Sequence, residues 1–65
     1  MELDEVLAVL RQEVEECGSQ QEWARRAGVA QTYVSQVLKG KQRPGPTILD
    51  ALGIEKVTQY KFKRK

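Results

Sequence analysis

Sixty-five residues are enough for one small domain, which buries only about 60% of the surface its unfolded chain exposes. Its core is therefore thin, and dimerisation is a way to thicken it. The single cysteine, Cys17, excludes an internal disulfide, and with no histidine in the chain the zinc-finger spacings are excluded too. The net charge of +2 hides a strong polarity. Residues 1–16 hold six acids (Glu2, Asp4, Glu5, Glu13, Glu15, Glu16) against Arg11, a balance of −5. Residues 17–55 hold Arg25, Arg26, Lys39, Lys41 and Arg43 against Glu22, Asp50 and Glu55, a balance of +2. Residues 56–65 hold Lys56, Lys61, Lys63, Arg64 and Lys65 with no acid, a balance of +5. Such asymmetry points to a polyanionic partner for the later segments, against the plainer reading of a solvated face with a disordered basic tail. No apolar run nears the roughly 18 residues of a membrane span, and the start MELDE lacks the basic-then-apolar order of a signal peptide. A soluble, cytoplasmic chain is expected.

In chain order, Leu3, Val6, Leu7, Leu10 and Val14 recur at helical spacing, predicting a first helix from about Leu3 to Glu16. Glu15 and Glu16 crowd the negative end of its dipole, so it is expected to stop near Gly18. Ser19-Gln20-Gln21-Glu22 has the S-x-x-E order of a capping box, which starts a second helix at Gln20. That helix buries Trp23, Ala24 and Ala27 and closes at Gly28. Val29-Ala30 leads into a third helix, about Gln31 to Lys39, with Val34, Val37 and Leu38 inward and Gly40 at its end. Two short helices, small residues between them and a three-residue turn make a helix-turn-helix signature. A basic loop, Lys41-Gln42-Arg43-Pro44, precedes a fourth helix from Pro46 to Leu52, with proline at the first helical position. After Glu55 the period changes: Thr58, Tyr60 and Phe62 alternate with Gln59, Lys61 and Lys63, which is strand spacing. One strand needs a partner edge or remains a frayed tail.

The stretch QQEWARRAGVAQTYVSQVLKG, Gln20 to Gly40, resembles the helix-turn-helix of the lambda-repressor-like family of phage repressors and Cro proteins. Gln20 at the first turn of helix two, Ala24 at the helix crossing, Gly28 in the turn, Val34 in the core of helix three and Gly40 after it carry the resemblance. Ala51-Leu52-Gly53-Ile54 fits as well. The fold it implies is mostly α, a compact four- to five-helix domain over residues 1–55. A C-terminal strand or extended basic tail over residues 56–65 would serve as a dimerisation element. Size and basic ending look most like a small phage or prophage Cro-like regulator, at work in the cytoplasm of a bacterial or phage-infected host. The chain departs from the family pattern at Ala30, where a capping threonine, serine or glycine is usual and alanine caps poorly, and in its short loop before helix four.

Advancing about 100° per residue from Val34 puts Thr32, Ser35, Gln36 and Lys39 on the outer face of helix three, with Gln31 at its entrance and Tyr33 on its flank. In a major groove glutamine reads adenine, threonine meets the thymine methyl and serine donates or accepts, so Gln31, Thr32, Ser35 and Gln36 are the expected base contacts. Lys39 reaches guanine or, preferably, a phosphate. Gln20, by resemblance, touches a phosphate and braces Gln31; otherwise it merely begins its helix. Tyr33 either bonds a phosphate through its hydroxyl or lies half-buried against helix two. Lys41 and Arg43 are expected to clamp the DNA backbone. Arg25 and Arg26 flank the backbone or, preferably, pair with the acids of helix one. Trp23 is expected in the core. Thr58, Tyr60 and Phe62 form a dimer contact, or else fold back on the domain's own core, and Lys63, Arg64 and Lys65 form a flexible cationic end.

The expectation is a sequence-specific regulator that binds double-stranded DNA as a homodimer on a pseudo-palindromic operator, a Cro-like repressor. It needs no cofactor, metal, membrane or small-molecule ligand. The alternative is a protein-interaction adaptor, such as an antitoxin or inhibitor, on the same fold; the polar face of helix three argues against it. No nucleophile–base pair or carboxylate dyad supports an enzyme.

Overall fold

The computed structural model describes residues 1–56 and 59–63. Helices α1 (Leu3–Cys17), α2 (Gln20–Ala27), α3 (Gln31–Leu38) and α4 (Pro46–Leu52) are followed by strands β1 (Ile54–Lys56) and β2 (Tyr60–Phe62). The first helix begins where the Glu2 backbone N–H donates to the Glu5 carboxylate at 2.9 Å. Asp4 and Glu5 sit in its first turn, where the helix dipole favours negative charge. Val6, Leu10 and Val14 are its buried stripe. Leu3, expected on the same stripe, overhangs the end of the core at 37% exposure.

α2 starts as its sequence demands, with the Glu22 N–H donating to Ser19 Oγ at 3.1 Å. The glutamate does not reach back to complete a reciprocal cap. Its carboxylate faces Arg25 at 3.8 Å and Arg26 at 3.9 Å, within its own helix. This corrects the expectation that these arginines pair with the acids of α1: neighbours three and four positions away on one helix face are nearer than any second helix. Trp23 is buried in the core, and its indole N–H donates to Glu13 of α1 at 3.4 Å. The crossing of α1 and α2 is thus fixed in angle as well as in depth.

The turn into α3 depends on Gly28. With φ 77° and ψ 30° it occupies the left-handed region, which disfavours any residue carrying a Cβ by about 1–2 kcal/mol. This conformation lets the Val29 N–H return to the Ala24 carbonyl at 3.0 Å, closing the helix end. The chain is thereby reversed within three residues, and α3 comes back across α2 with Val34 and Val37 fully buried.

The C-terminal strand does find a partner, and the partner is local. β1 and β2 form an antiparallel pair with Ile54 opposite Phe62, Glu55 opposite Lys61 and Lys56 opposite Tyr60. Paired residues share a face, so Ile54, Lys56, Tyr60 and Phe62 all lie on the side that meets the helices. Ile54 and Tyr60 join the single core with Ile48, Leu49 and Leu52 of α4, and the Lys56 ammonium sits 5.1 Å above the Tyr60 ring. Phe62, at the end of the ladder, is 53% exposed. Lys63, expected in a flexible end, is anchored instead. Its N–H donates to the Gly53 carbonyl at 2.7 Å and its ammonium to the Asp50 carboxylate. Thr58 of the expected dimer contact, and Arg64 and Lys65 of the expected cationic end, lie outside the described residues.

Candidate nucleic-acid interface

Burial of Val34 and Val37 fixes which way α3 faces. Those valines pack toward α1 and α2, so the opposite side of the helix is turned away from both. Thr32 and Lys39 stand exposed on that side, Ser35 and Gln36 are half-buried on its shoulders, and Gln31 is exposed at its entrance. The helix contains no acidic residue. The five side chains the sequence placed on this face are therefore brought together on it.

Gln20 is the first residue of α2 and half-buried. The brace expected between it and Gln31 is not formed: among the described residues no side-chain hydrogen bond joins them. The start of α3 has no side-chain cap, Ala30 being extended at φ −73° and ψ 142°, as its identity implied.

Lys39 on the α3 face is followed in the chain by two further cations, Lys41 and Arg43. Lys39, Lys41 and Arg43 are exposed, and among the described residues none of them forms an ion pair. Their field is therefore available to an incoming anion rather than satisfied internally. Tyr33 is half-buried, as the second expectation of it had it. Its ring packs against the core, and its hydroxyl reaches the loop before α4. There it accepts from the Gly45 N–H at 2.7 Å and donates to the Arg43 carbonyl at 3.3 Å. Both hydroxyl contacts are to backbone groups on either side of Pro44. Gly45, just before α4, is thus part of the site's support. Its role is a tertiary contact with no local signature.

The remaining ionisable feature lies behind the interface. The ammonium of Lys63, by hydrogen bond first and by charge second, holds the Asp50 carboxyl below its ordinary value of 3.8. Among the described residues no helix is long and apolar enough to cross a membrane, and no cluster of histidine, cysteine and carboxylate side chains is placed to hold a metal.

A family model described as helix-turn-helix matches residues 10–53, from the middle of α1 to the glycine that closes α4. The chain belongs to the lambda-repressor-like helix-turn-helix family. No curated protein and no solved structure matches it. Membership makes it a DNA-binding regulator of transcription whose partner is double-stranded DNA, in a family that is not enzymatic. The β1–β2 hairpin falls beyond the matched residues.

Proposed function

We propose that this helix-turn-helix protein is a Cro-like repressor that binds a pseudo-palindromic operator as a homodimer, with α3 in the major groove. Gln31, Thr32, Ser35 and Gln36 read base edges. Gln20, Lys39, Lys41 and Arg43 hold the phosphate backbone, and Tyr33 serves the loop that carries Arg43. The observation that carries the reading is the acid-free, hydrogen-bonding outer face of α3, followed by exposed Lys39, Lys41 and Arg43, which form no ion pair among the described residues. An adaptor surface would place an aromatic or aliphatic anchor there. Repression follows from occupancy: a protein seated on the operator excludes polymerase.

The hairpin supports the homodimer. Phe62 exposes an aromatic ring at the end of β2, and among the described residues the outer edge of β2 has no strand beside it. A two-fold antiparallel pairing of β2 with its copy would satisfy that edge and cover both phenylalanines at once. Tyr60, only 8% exposed, is occupied in the core of its own chain, so the contact falls to Phe62.

Selection from a random duplex pool tests the proposal. The expected product is a site with two inverted half-sites, centred roughly 34 Å or about 10 base pairs apart, bound by two chains and preferred over random duplex by ~10³-fold or more. Phe62→Glu is expected to shift the free protein to monomer in sedimentation and to weaken binding to the full site much more than to a half-site. Recovery of sequences with no shared pattern, bound only with a steep salt dependence, would refute it.

A further inference from the structure

Surface loops rich in lysine and arginine are ordinarily mobile, yet the segment joining α3 to α4 is held at several points that lead back to α3. At its start the Lys41 N–H donates to the Gln36 carbonyl at 2.9 Å. At its end the Tyr33 hydroxyl sits between the Arg43 carbonyl and the Gly45 N–H. Pro44, between those two residues, is buried. The Gly45 carbonyl then accepts the Leu49 N–H at 2.9 Å, starting α4.

Gly45 shows how closely the tyrosine is fitted. Its φ of −84° and ψ of 178° are open to any residue, so backbone torsion does not require glycine here. Space does. A Cβ at this position would lie 2.6 Å from the Tyr33 hydroxyl oxygen, well inside contact distance. The glycine makes room for the phenol, and the phenol takes both backbone groups that flank Pro44.

We infer that Tyr33 is a positioning residue of the DNA interface, locking the Lys41–Gly45 loop to α3 through its hydroxyl so that Arg43 meets the phosphate backbone in fixed register with the base-reading side chains. The inference rests on the DNA-binding role of α3 proposed above. It gives Tyr33 no direct DNA contact. Base readout and backbone clamp then move as one body, and the ordering of the loop occurs on folding instead of on binding.

The test compares wild type with Tyr33→Phe, Arg43→Ala, the double variant and Gly45→Ala, each titrated against the selected duplex and a random duplex at several salt concentrations. Tyr33→Phe keeps the ring and removes only the hydroxyl. It is expected to retain the helical spectrum and to lose about 3- to 10-fold in affinity on both duplexes, the scale of one hydrogen bond, leaving the preference between them unchanged. Arg43→Ala is expected to lower the salt slope by about 1, and Tyr33→Phe to lower it in part, a readout that a loss of stability alone does not move. The double variant should bind no more weakly than Arg43→Ala, and Gly45→Ala should reproduce Tyr33→Phe. Independent, multiplying losses in the double variant would mean that Tyr33 acts on DNA by itself and would overturn the inference. So would a Tyr33→Phe protein with wild-type affinity and slope. Failure of the underlying DNA reading looks different: wild type would show no preference among duplexes, while Tyr33→Phe would still lose hydrogen-exchange protection at the Gly45 amide. That result would confirm the latch and deny it a role at DNA.

Discussion

Serine at position 30 should stabilise this domain, because α3 begins at a residue with the right backbone and the wrong side chain. Ala30 is exposed and extended, at φ −73° and ψ 142°, the region an N-cap residue occupies. Its carbonyl already receives the N–H groups of Tyr33 at 3.1 Å and Val34 at 3.2 Å, but no side chain caps the first turn. Ser19 occupies the equivalent place before α2, also extended, and there the hydroxyl takes the Glu22 N–H at 3.1 Å. The same protein thus holds a capped and an uncapped helix start. Replacing a capping residue by alanine costs about 0.5–2 kcal/mol, so Ala30→Ser should gain about 1 kcal/mol and Ser19→Ala should lose a similar amount. For a domain of this size 1 kcal/mol moves the melting temperature by about 4–8 °C. Thermal melts followed by circular dichroism, at matched protein concentration because a dimer's stability depends on it, give both shifts. The double variant should melt near wild type. An Ala30→Ser protein that melts at or below wild type, while Ser19→Ala falls as expected, would show that the entrance to α3 lacks cap geometry and would refute the reasoning.

Leu10→Ala removes a fully buried side chain at the centre of the core and should cost about 2–5 kcal/mol. Total stability at roughly 0.05–0.15 kcal/mol per residue comes to about 3–10 kcal/mol for this chain, so urea titration should show a midpoint reduced by about a fifth or more, up to complete loss of the folded state; a smaller shift would mean that the core does not close around Leu10. Asp50→Asn removes the ion pair between α4 and the segment after β2. Because Lys63 lowers the folded-state pKa of Asp50, the stabilisation is present above the ordinary carboxylate value and is lost as pH falls through the lowered one. The two proteins should therefore differ near pH 6, converge in strong acid, and converge at neutral pH in 1 M salt. A difference that persists in acid would assign the effect to something other than the carboxylate charge.

Periodicity and punctuation carried most of the fold. The bounds of α4, Pro46–Leu52, follow from proline at a first helical position and glycine at the close, and those of α2 and α3 from Ser19, Gly28 and Gly40. These are local rules, satisfied within one or two turns of the residues that state them. The first strand of the hairpin was not legible: Ile54-Glu55-Lys56 is too short to display a period of two, and only one of its residues is buried. The split of roles between Tyr60 and Phe62 was hidden for a related reason. Alternation puts both on one face but does not say how far the helices extend beneath it. On α3, the valine stripe was enough to orient the polar face. The Tyr33 latch and its reliance on Gly45 join residues twelve apart through tertiary packing, and no spacing rule announces such a contact.

The most direct test of the account compares Gln36→Ala with Lys41→Ala on the selected operator and on its single-base variants. If α3 lies in the groove as proposed, Gln36→Ala loses about 1–3 kcal/mol on the operator and relaxes preference at one base pair, while Lys41→Ala weakens every duplex alike and lowers the salt slope by about 1. If Gln36→Ala instead weakens all sequences equally, or leaves binding untouched, the outer face of α3 is not the reading surface.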